Sequence, residues 1–131
     1  SMGISGTRAF RTLETAPPTH RSEALASLAR ILLELHDFLA EVVPSLVVLR
    51  AASITPPPGP TPPPLALRQR LAAWLTAANL IDASDSMTAE LILGALEARC
   101  FNRYLGGAHF VAGNDDGFVE ALVQHVAQGA P

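Results

Sequence analysis

The chain has 131 residues, of which 49% are hydrophobic and 16% charged, enough apolar material for one domain with a substantial core. Its nine basic residues are dispersed arginines and its net charge is −3, so the chain alone lacks the basic stripe that grips duplex DNA. No apolar run reaches the roughly 20 residues that span a bilayer. The single cysteine excludes an intrachain disulfide and a multi-cysteine zinc site.

The first residues carry no secretory signal pattern. Ser1 precedes Met2, which is typical of a cloning remnant, and the polar stretch that follows ends at Pro17 and Pro18. We therefore expect residues 1–18 to be a leading segment and residues 19–131 to form one helical domain. The lone Cys100 and the lack of a signal pattern indicate a cytoplasmic protein.

Residues 20–43 give the clearest helical pattern, because apolar residues recur at spacings of three and four. The members of this apolar stripe are Leu25, Leu28, Leu32, Leu35, Leu39 and Val43. Charged residues share the opposite face, as in a helix with one buried side. Pro44 then predicts a break or kink, with a short helix over Ser45–Ala52 beyond it.

Residues 55–64 contain seven prolines, which exclude a helix or a central strand. We expect a polyproline-II-like connector between helices. The alternative is a ligand for a proline-recognising domain, which would make the chain a protein-interaction module.

Residues 65–82 predict a second amphipathic helix, with Trp74 at the centre of its apolar face. Asp85 or Ser86 is suited to cap the helix that follows. That third helix, residues 87–105, has two apolar faces. One face holds Leu91, Gly94, Ala95, Ala98 and Leu105, and the other holds Leu93, Leu96, Cys100 and Tyr104. A helix with two apolar faces must be covered twice.

A loop over residues 108–113 leads to the last helix, which Asn114 or Asp115 caps and which runs to about residue 128. The sequence therefore predicts an all-α fold, an antiparallel bundle of five or six helices.

The order of these helices resembles the C-terminal domain of TetR-family transcriptional regulators. The stretch AELILGALEARCFNRYLGG, followed by NDDGFVEALVQHVAQG, is similar to the family's last two helices. The stretches EALASLARILLELHDFLAEVVPSLVVLRA and LALRQRLAAWLTAANLIDA are similar to the helices before them, so the resemblance covers roughly residues 20–128. The family's helix-turn-helix is absent from this sequence, so operator DNA binding is expected only of the parent protein.

The resemblance implies a homodimer in which the last two helices of each chain form a four-helix bundle. Their unusually wide apolar faces favour the same pairing, since one layer of neighbours does not cover them. The expected interface residues are Leu91, Gly94, Ala95, Ala98, Phe118, Leu122, Val123 and Val126.

The resemblance also implies a pocket for a small, mostly apolar effector among the preceding helices. Such pockets combine apolar walls with a few polar groups. The candidates are His36, Phe38, Trp74, Arg99 and Asn102. Structural alternatives are core packing for Trp74, a local hydrogen bond for His36, and a backbone or second-subunit partner for Asn102. Arg99 and Arg103 project together and are suited to bind an anionic effector or a carboxylate across the dimer.

Catalytic and metal chemistry find little support in the residue pattern. The four histidines and Cys100 show no metal-ligand spacing, and no activating motif surrounds Cys100. We therefore expect no enzyme activity, no metal and no cofactor. A small helical enzyme or metal carrier is the remaining alternative.

Overall fold

The structure is a computed structural model that describes residues 11–52, 63–106 and 114–129, and every regular element in those ranges is helical. Residues 11–14 form a helical turn, and four helices follow it. They are α1 (Arg21–Ala51), α2 (Pro63–Ala77), α3 (Thr88–Gly106) and α4 (Asp115–Gly129). The predicted all-α class is confirmed. The predicted loop at 108–113 and residues 55–62 of the predicted connector lie outside the described residues.

Helix α1 is the centre of the arrangement, since both α3 and α4 pack against it and α2 packs against α3. The Arg21 guanidinium, at the start of α1, donates to the Ala127 carbonyl near the end of α4 (2.6 Å). Midway along α1, His36 lies 3.6 Å from Asp115 at the start of α4. The two helices therefore run antiparallel.

The stripe predicted for residues 20–43 forms the middle of the core. Leu28, Leu32 and Leu35 have no exposed surface, Leu39 and Val43 are buried, and only Leu25 is partly exposed. A buried leucine contributes roughly 1.5–3 kcal/mol relative to an exposed one. The apolar face of α1 thus supplies much of the energy that holds α3 and α4 in place.

Of the break or kink predicted at Pro44, the break does not occur, and the separate helix predicted over Ser45–Ala52 is wrong. Helix α1 continues through Pro44 to Ala51. A proline inside a helix removes the hydrogen bond to the residue four positions earlier and costs about 3 kcal/mol. Val43 is buried before the proline and Val47 packs against the core after it, so packing on both sides offsets this cost.

Helix α2 differs from its prediction at both ends. It begins at Pro63, inside the predicted connector, because a proline in the first helical turn loses no intrahelical hydrogen bond. It ends at Ala77, before the predicted residue 82. Asn79 has φ 58°, its amide donates to the Thr76 carbonyl and the Leu80 amide donates to the Leu75 carbonyl, each at 3.0 Å. This is a Schellman motif with asparagine in the left-handed position.

Both remaining helix starts have a side-chain cap. The Asp85 carboxylate accepts the amides of Met87 and Thr88, each at 2.9 Å, ahead of α3. The Asn114 side chain accepts the Gly117 amide at 2.6 Å ahead of α4. These oxygens satisfy amides that have no partner inside the helix, so Asp85 and Asn114 are the capping residues.

Within the described ranges, no helix combines the length and the apolar character that crossing a membrane requires.

Candidate functional site

The most unusual side chain of the described core is His36, which lies on the buried side of α1. Its exposed fraction is 2%, and neither ring nitrogen has a hydrogen-bond partner. Nδ1 lies 3.6 Å from a carboxylate oxygen of Asp37, and Nε2 lies 3.6 Å from one of Asp115. Both distances exceed a hydrogen bond. Buried polar atoms without partners are rare in folded proteins, so this imidazole is a candidate for binding a further group.

Asp115 lies beside His36 and carries the strongest polar contacts of the site. The Arg103 guanidinium binds it in a bidentate manner, with Nη2 donating to Oδ1 (2.6 Å) and Nη1 to Oδ2 (3.1 Å). The Arg99 Nε donates to Oδ1 at 3.2 Å. The hydrogen bond from Arg103, and then that from Arg99, lowers the pKa of the Asp115 carboxyl below its ordinary value. Asp115 is therefore held as a carboxylate.

These four residues, His36, Arg99, Arg103 and Asp115, are called the Asp115 cluster below. The cluster joins three helices, because His36 belongs to α1, both arginines belong to α3 and Asp115 belongs to α4. The Arg99 guanidinium also lies 4.7 Å from the centre of the Phe118 ring on α4, within the range of a cation–π contact. The carboxyl end of α3 is thus tied to the amino end of α4.

Cys100 borders the cluster and closes it on the core side. The thiol is buried and its Sγ donates to the His36 carbonyl at 3.6 Å. Burial raises the pKa of Cys100 to about 11. At neutral pH the group is therefore a protonated, unreactive thiol, as expected for a small buried hydrophobe.

The structure brings together two of the five predicted effector residues. His36 and Arg99 meet at Asp115, while Trp74 is buried in the core at 3% exposure and Phe38 packs against that core. Asn102 is half-buried on α3. Among the hydrogen bonds of the described residues, none joins Trp74 or Asn102 to the cluster.

A groove separates α3 from α4 at the end opposite the cluster. Its volume is about 550 Å³, and its apolar walls come from both helices and from the turn after α2. Leu91 and Ile92 contribute from α3, and Leu122 and Val126 contribute from α4. Side-chain contacts therefore join α3 to α4 at the Asp115 cluster, whereas the groove separates the two helices at their other ends.

The predicted interface residues fall into three groups by exposure. Leu91, Gly94 and Ala98 are exposed on the outer face of α3, whereas Leu93, Leu96 and Cys100 on its inner face are buried. Ala95, Phe118 and Leu122 are half-buried. Val123 and Val126 are buried within the single chain, at 8% and 6% exposure, so they already belong to its own core. Tyr104, predicted to share a face with Leu93, Leu96 and Cys100, is exposed.

The sequence pattern did not reveal the ionic role of Asp115, which was expected only to favour the start of a helix. Arg99 and Arg103 were expected to bind an anionic effector or a carboxylate across a dimer, but both bind Asp115 of the same chain. The sequence did contain a pattern that predicts this contact. Two arginines lie one turn apart at the end of one helix, and an acidic residue stands at the start of the next helix.

Neither the pattern of metal-binding side chains nor the comparisons with known proteins assign a function to this site. The described residues include no group of three or more His, Cys, Asp or Glu side chains that could hold a metal ion. No protein-family model matches the chain, and neither does any curated protein or solved structure. The fold and the site define an all-helical domain in which a partly buried ionic cluster links the central helix to the last two.

Proposed function

We propose that this chain is the effector-sensing and dimerisation domain of a TetR-type transcriptional repressor, with the DNA-reading helix-turn-helix supplied by another part of the parent protein. The observation that carries the proposal is the pair of apolar faces on α3. One face is buried against the chain's own core, while Leu91 and Leu105 on the opposite face are 64% and 69% exposed. An apolar helix face of this kind is typical of a surface that another chain covers.

The helix order supports the same function. The long central helix α1 contacts both of the last two helices. A movement of α1 would therefore also move the helices whose surface would contact a second copy. In a regulator of this class, an effector biases the protein between two arrangements because it binds one of them more tightly.

The proposed effector site is centred on His36, a buried residue whose two ring nitrogens have no hydrogen-bond partner. A small, mostly apolar molecule with one hydrogen-bonding group would gain a partner there and would satisfy one of the two ring nitrogens. Because Asp115 lies 3.6 Å from the same ring, that molecule would compete with or reorient the carboxylate that ties α3 to α4. Effector binding at His36 would thereby change the spacing of the last two helices.

Sedimentation equilibrium at micromolar concentration tests the dimer, and we expect twice the mass of the single chain. A monomer under these conditions would remove the main support for the proposal. The sequence encoded immediately upstream in the gene is the second test, since a helix-turn-helix with a recognition helix for the major groove would support the assignment to this class.

Thermal unfolding in the presence of small apolar compounds tests the effector site. A ligand at 100 times its Kd stabilises a protein by about 2.7 kcal/mol, which gives a readily measured rise in Tm. We expect His36→Leu to abolish the rise produced by a compound that binds the unaltered chain. His20→Leu is the matched control, because His20 is exposed just ahead of α1 and does not line the groove. Equal responses of the two variants would place the effector elsewhere.

A further inference from the structure

A small cavity lies between α1 and the helical turn at residues 11–14, which is called the leading turn below. Its volume is about 260 Å³. The residues that line it are Arg11, Thr12, Arg30, Ile31 and Glu34. Glu34 and His36 lie about 160° apart around α1 at 100° per residue. The cavity is therefore separate from the effector site proposed at His36.

The leading turn has a fixed position beside α1. Leu13 is buried in the core at 7% exposure, and the Glu14 carboxylate lies 3.5 Å from the Arg70 guanidinium on α2. Thr15 closes the turn, because its amide and its hydroxyl both donate to the Thr12 carbonyl, at 3.2 Å and 2.8 Å. The backbone of both cavity walls is thus in place before any ligand binds, which lowers the cost of binding.

Glu34 is the acidic group of the cavity and lacks a partner. The residue is half-buried, and its Oε2 is a buried oxygen that accepts no hydrogen bond. An unpaired buried acceptor lowers stability, most strongly when the group is charged. This carboxylate is therefore suited to accept a hydrogen bond from a group outside the chain.

Two arginines line the same cavity, and both are exposed, so an anion reaches them from solvent. Within the described ranges, neither Arg11 nor Arg30 has a hydrogen bond or an ion pair. Arg30 precedes Glu34 by four residues, which is the less favourable order for an ion pair along a helix. The cavity thus presents two groups that bind a carboxylate next to one group that binds a cation.

We propose that this cavity binds a small zwitterion with a carboxylate and a primary ammonium group, the chemistry of a free amino acid. The ligand carboxylate pairs with Arg11 and Arg30, and the ligand ammonium donates to the Glu34 carboxylate. The volume is just below the roughly 300–1,000 Å³ of pockets for drug-sized ligands, so the ligand has few heavy atoms. This site is additional to the proposed function and uses none of its residues.

Isothermal titration calorimetry of the whole chain with glycine, β-alanine and γ-aminobutyrate tests the proposal, since the three differ in the spacing of their charges. We expect at least one of them to bind. The N-trimethyl form of that compound should bind about tenfold more weakly, because a quaternary ammonium has no N–H for Glu34 to accept. Propionate and propylammonium, with one charge each, should also bind more weakly. Equal affinity for propionate, or no binding of any zwitterion at millimolar concentration, would overturn the assignment.

Substitutions on α1 locate the site. Glu34→Gln keeps the shape of the side chain and should weaken binding about tenfold. Arg30→Gln should weaken it by a smaller factor, because solvent screens an exposed ion pair. Glu41→Gln is the matched control, since Glu41 is exposed on α1 and does not line the cavity. Equal affinities of Glu34→Gln and Glu41→Gln would place the ligand elsewhere.

Urea unfolding of the ligand-free chain tests the competing explanation, that Arg30 and Glu34 simply pair with each other in solution. In that case Glu34→Gln and Arg30→Gln would each lower the midpoint, and the double variant would lower it no further. That result would overturn the proposed site. We expect Glu34→Gln to leave the midpoint unchanged or to raise it, because the charge removed has no partner. Neither outcome bears on the proposed dimer or on the effector site at His36.

Discussion

Replacing Asp115 by asparagine removes the charge that joins α4 to α3 while keeping the shape of the side chain. The Arg99 side chain is only 13% exposed, and a hydrogen bond to a charged group contributes about 1.5–3 kcal/mol. Arg103 is 38% exposed, so its ion pair contributes about 0.2–1 kcal/mol. The amide of asparagine retains one acceptor oxygen, so we expect a net loss of about 2 kcal/mol in the free energy of unfolding.

Urea unfolding at pH 7, at one fixed protein concentration, measures this loss as a shift of the midpoint with little change in slope. Asp116→Asn is the matched control, since Asp116 is the next residue, is exposed and lies in the same first turn of α4. It should cost only the helix-start contribution of about 0.3–1 kcal/mol. Equal losses for the two variants would refute the view that Asp115 acts through the arginines of α3.

The pH dependence of Asp115→Asn supplies a second check. The folded chain lowers the pKa of Asp115 below its ordinary value of 3.8, so the carboxylate contributes its full stability above that value and loses it as the pH falls through the folded pKa. The difference between the unaltered chain and Asp115→Asn should therefore be largest at neutral pH and shrink below pH 3.8. A difference that stays constant to low pH would show that charge is not the cause.

Three further substitutions or measurements follow from single residues. Asn79→Ala should lower the free energy of unfolding by roughly 1–2 kcal/mol, because the φ of 58° at this position is strained for alanine. Asn79→Gly should leave the free energy of unfolding unchanged. Equal losses for the two variants in urea unfolding would contradict the Schellman assignment. Burial raises the pKa of Cys100 to about 11, so the thiol should react with a thiol reagent at pH 8 only at the rate of unfolding. Rapid labelling of the folded chain would show that the thiol is accessible. Gly94→Ala should raise the stability of the isolated chain by about 1 kcal/mol yet weaken self-association in sedimentation, and an unchanged dimerisation constant would argue against close helix contact at Gly94.

The periodicity of apolar residues was sufficient to predict the helices and their buried sides. Leu28, Leu32 and Leu35 were expected on one face of α1, and all three are fully buried. Periodicity succeeds here because a helix that packs on one side must place apolar residues every three or four positions. It does not show which helix covers which face.

Local rules failed where packing overrides them. Pro44 was expected to break or kink the helix, but core packing of Val43 before it and Val47 after it carries α1 through it without a break. Conversely, α2 stops early because Asn79 adopts the left-handed conformation and Leu80 is buried next to Leu75. An asparagine followed by leucine is a known helix-ending pattern, so this boundary was recoverable from the sequence.

The candidate site was only partly predictable. His36 was predicted as an effector-binding residue, and the structure places it in the core with unpartnered nitrogens. Its neighbours Arg99 and Asp115 belong to α3 and α4, which come much later in the sequence than α1. Trp74, which was predicted to line the same pocket, is buried in the core. Contacts of this range depend on how helices cross, which the periodicity of a single helix does not contain.

The hydrogen bond from Arg21 to the Ala127 carbonyl places the amino end of α1 beside the carboxyl end of α4. Joining these two points with a short linker and opening the chain at a surface turn should give a circular permutant with the same core, since nearby ends are what permutation requires. The chain ahead of α1 does not remain at this end, because Arg11 and Thr12 lie beside Arg30 and Glu34, several turns along α1. Leu13 in the same turn is buried in the core, so a permutant with an unchanged core would have to retain residues 11–14.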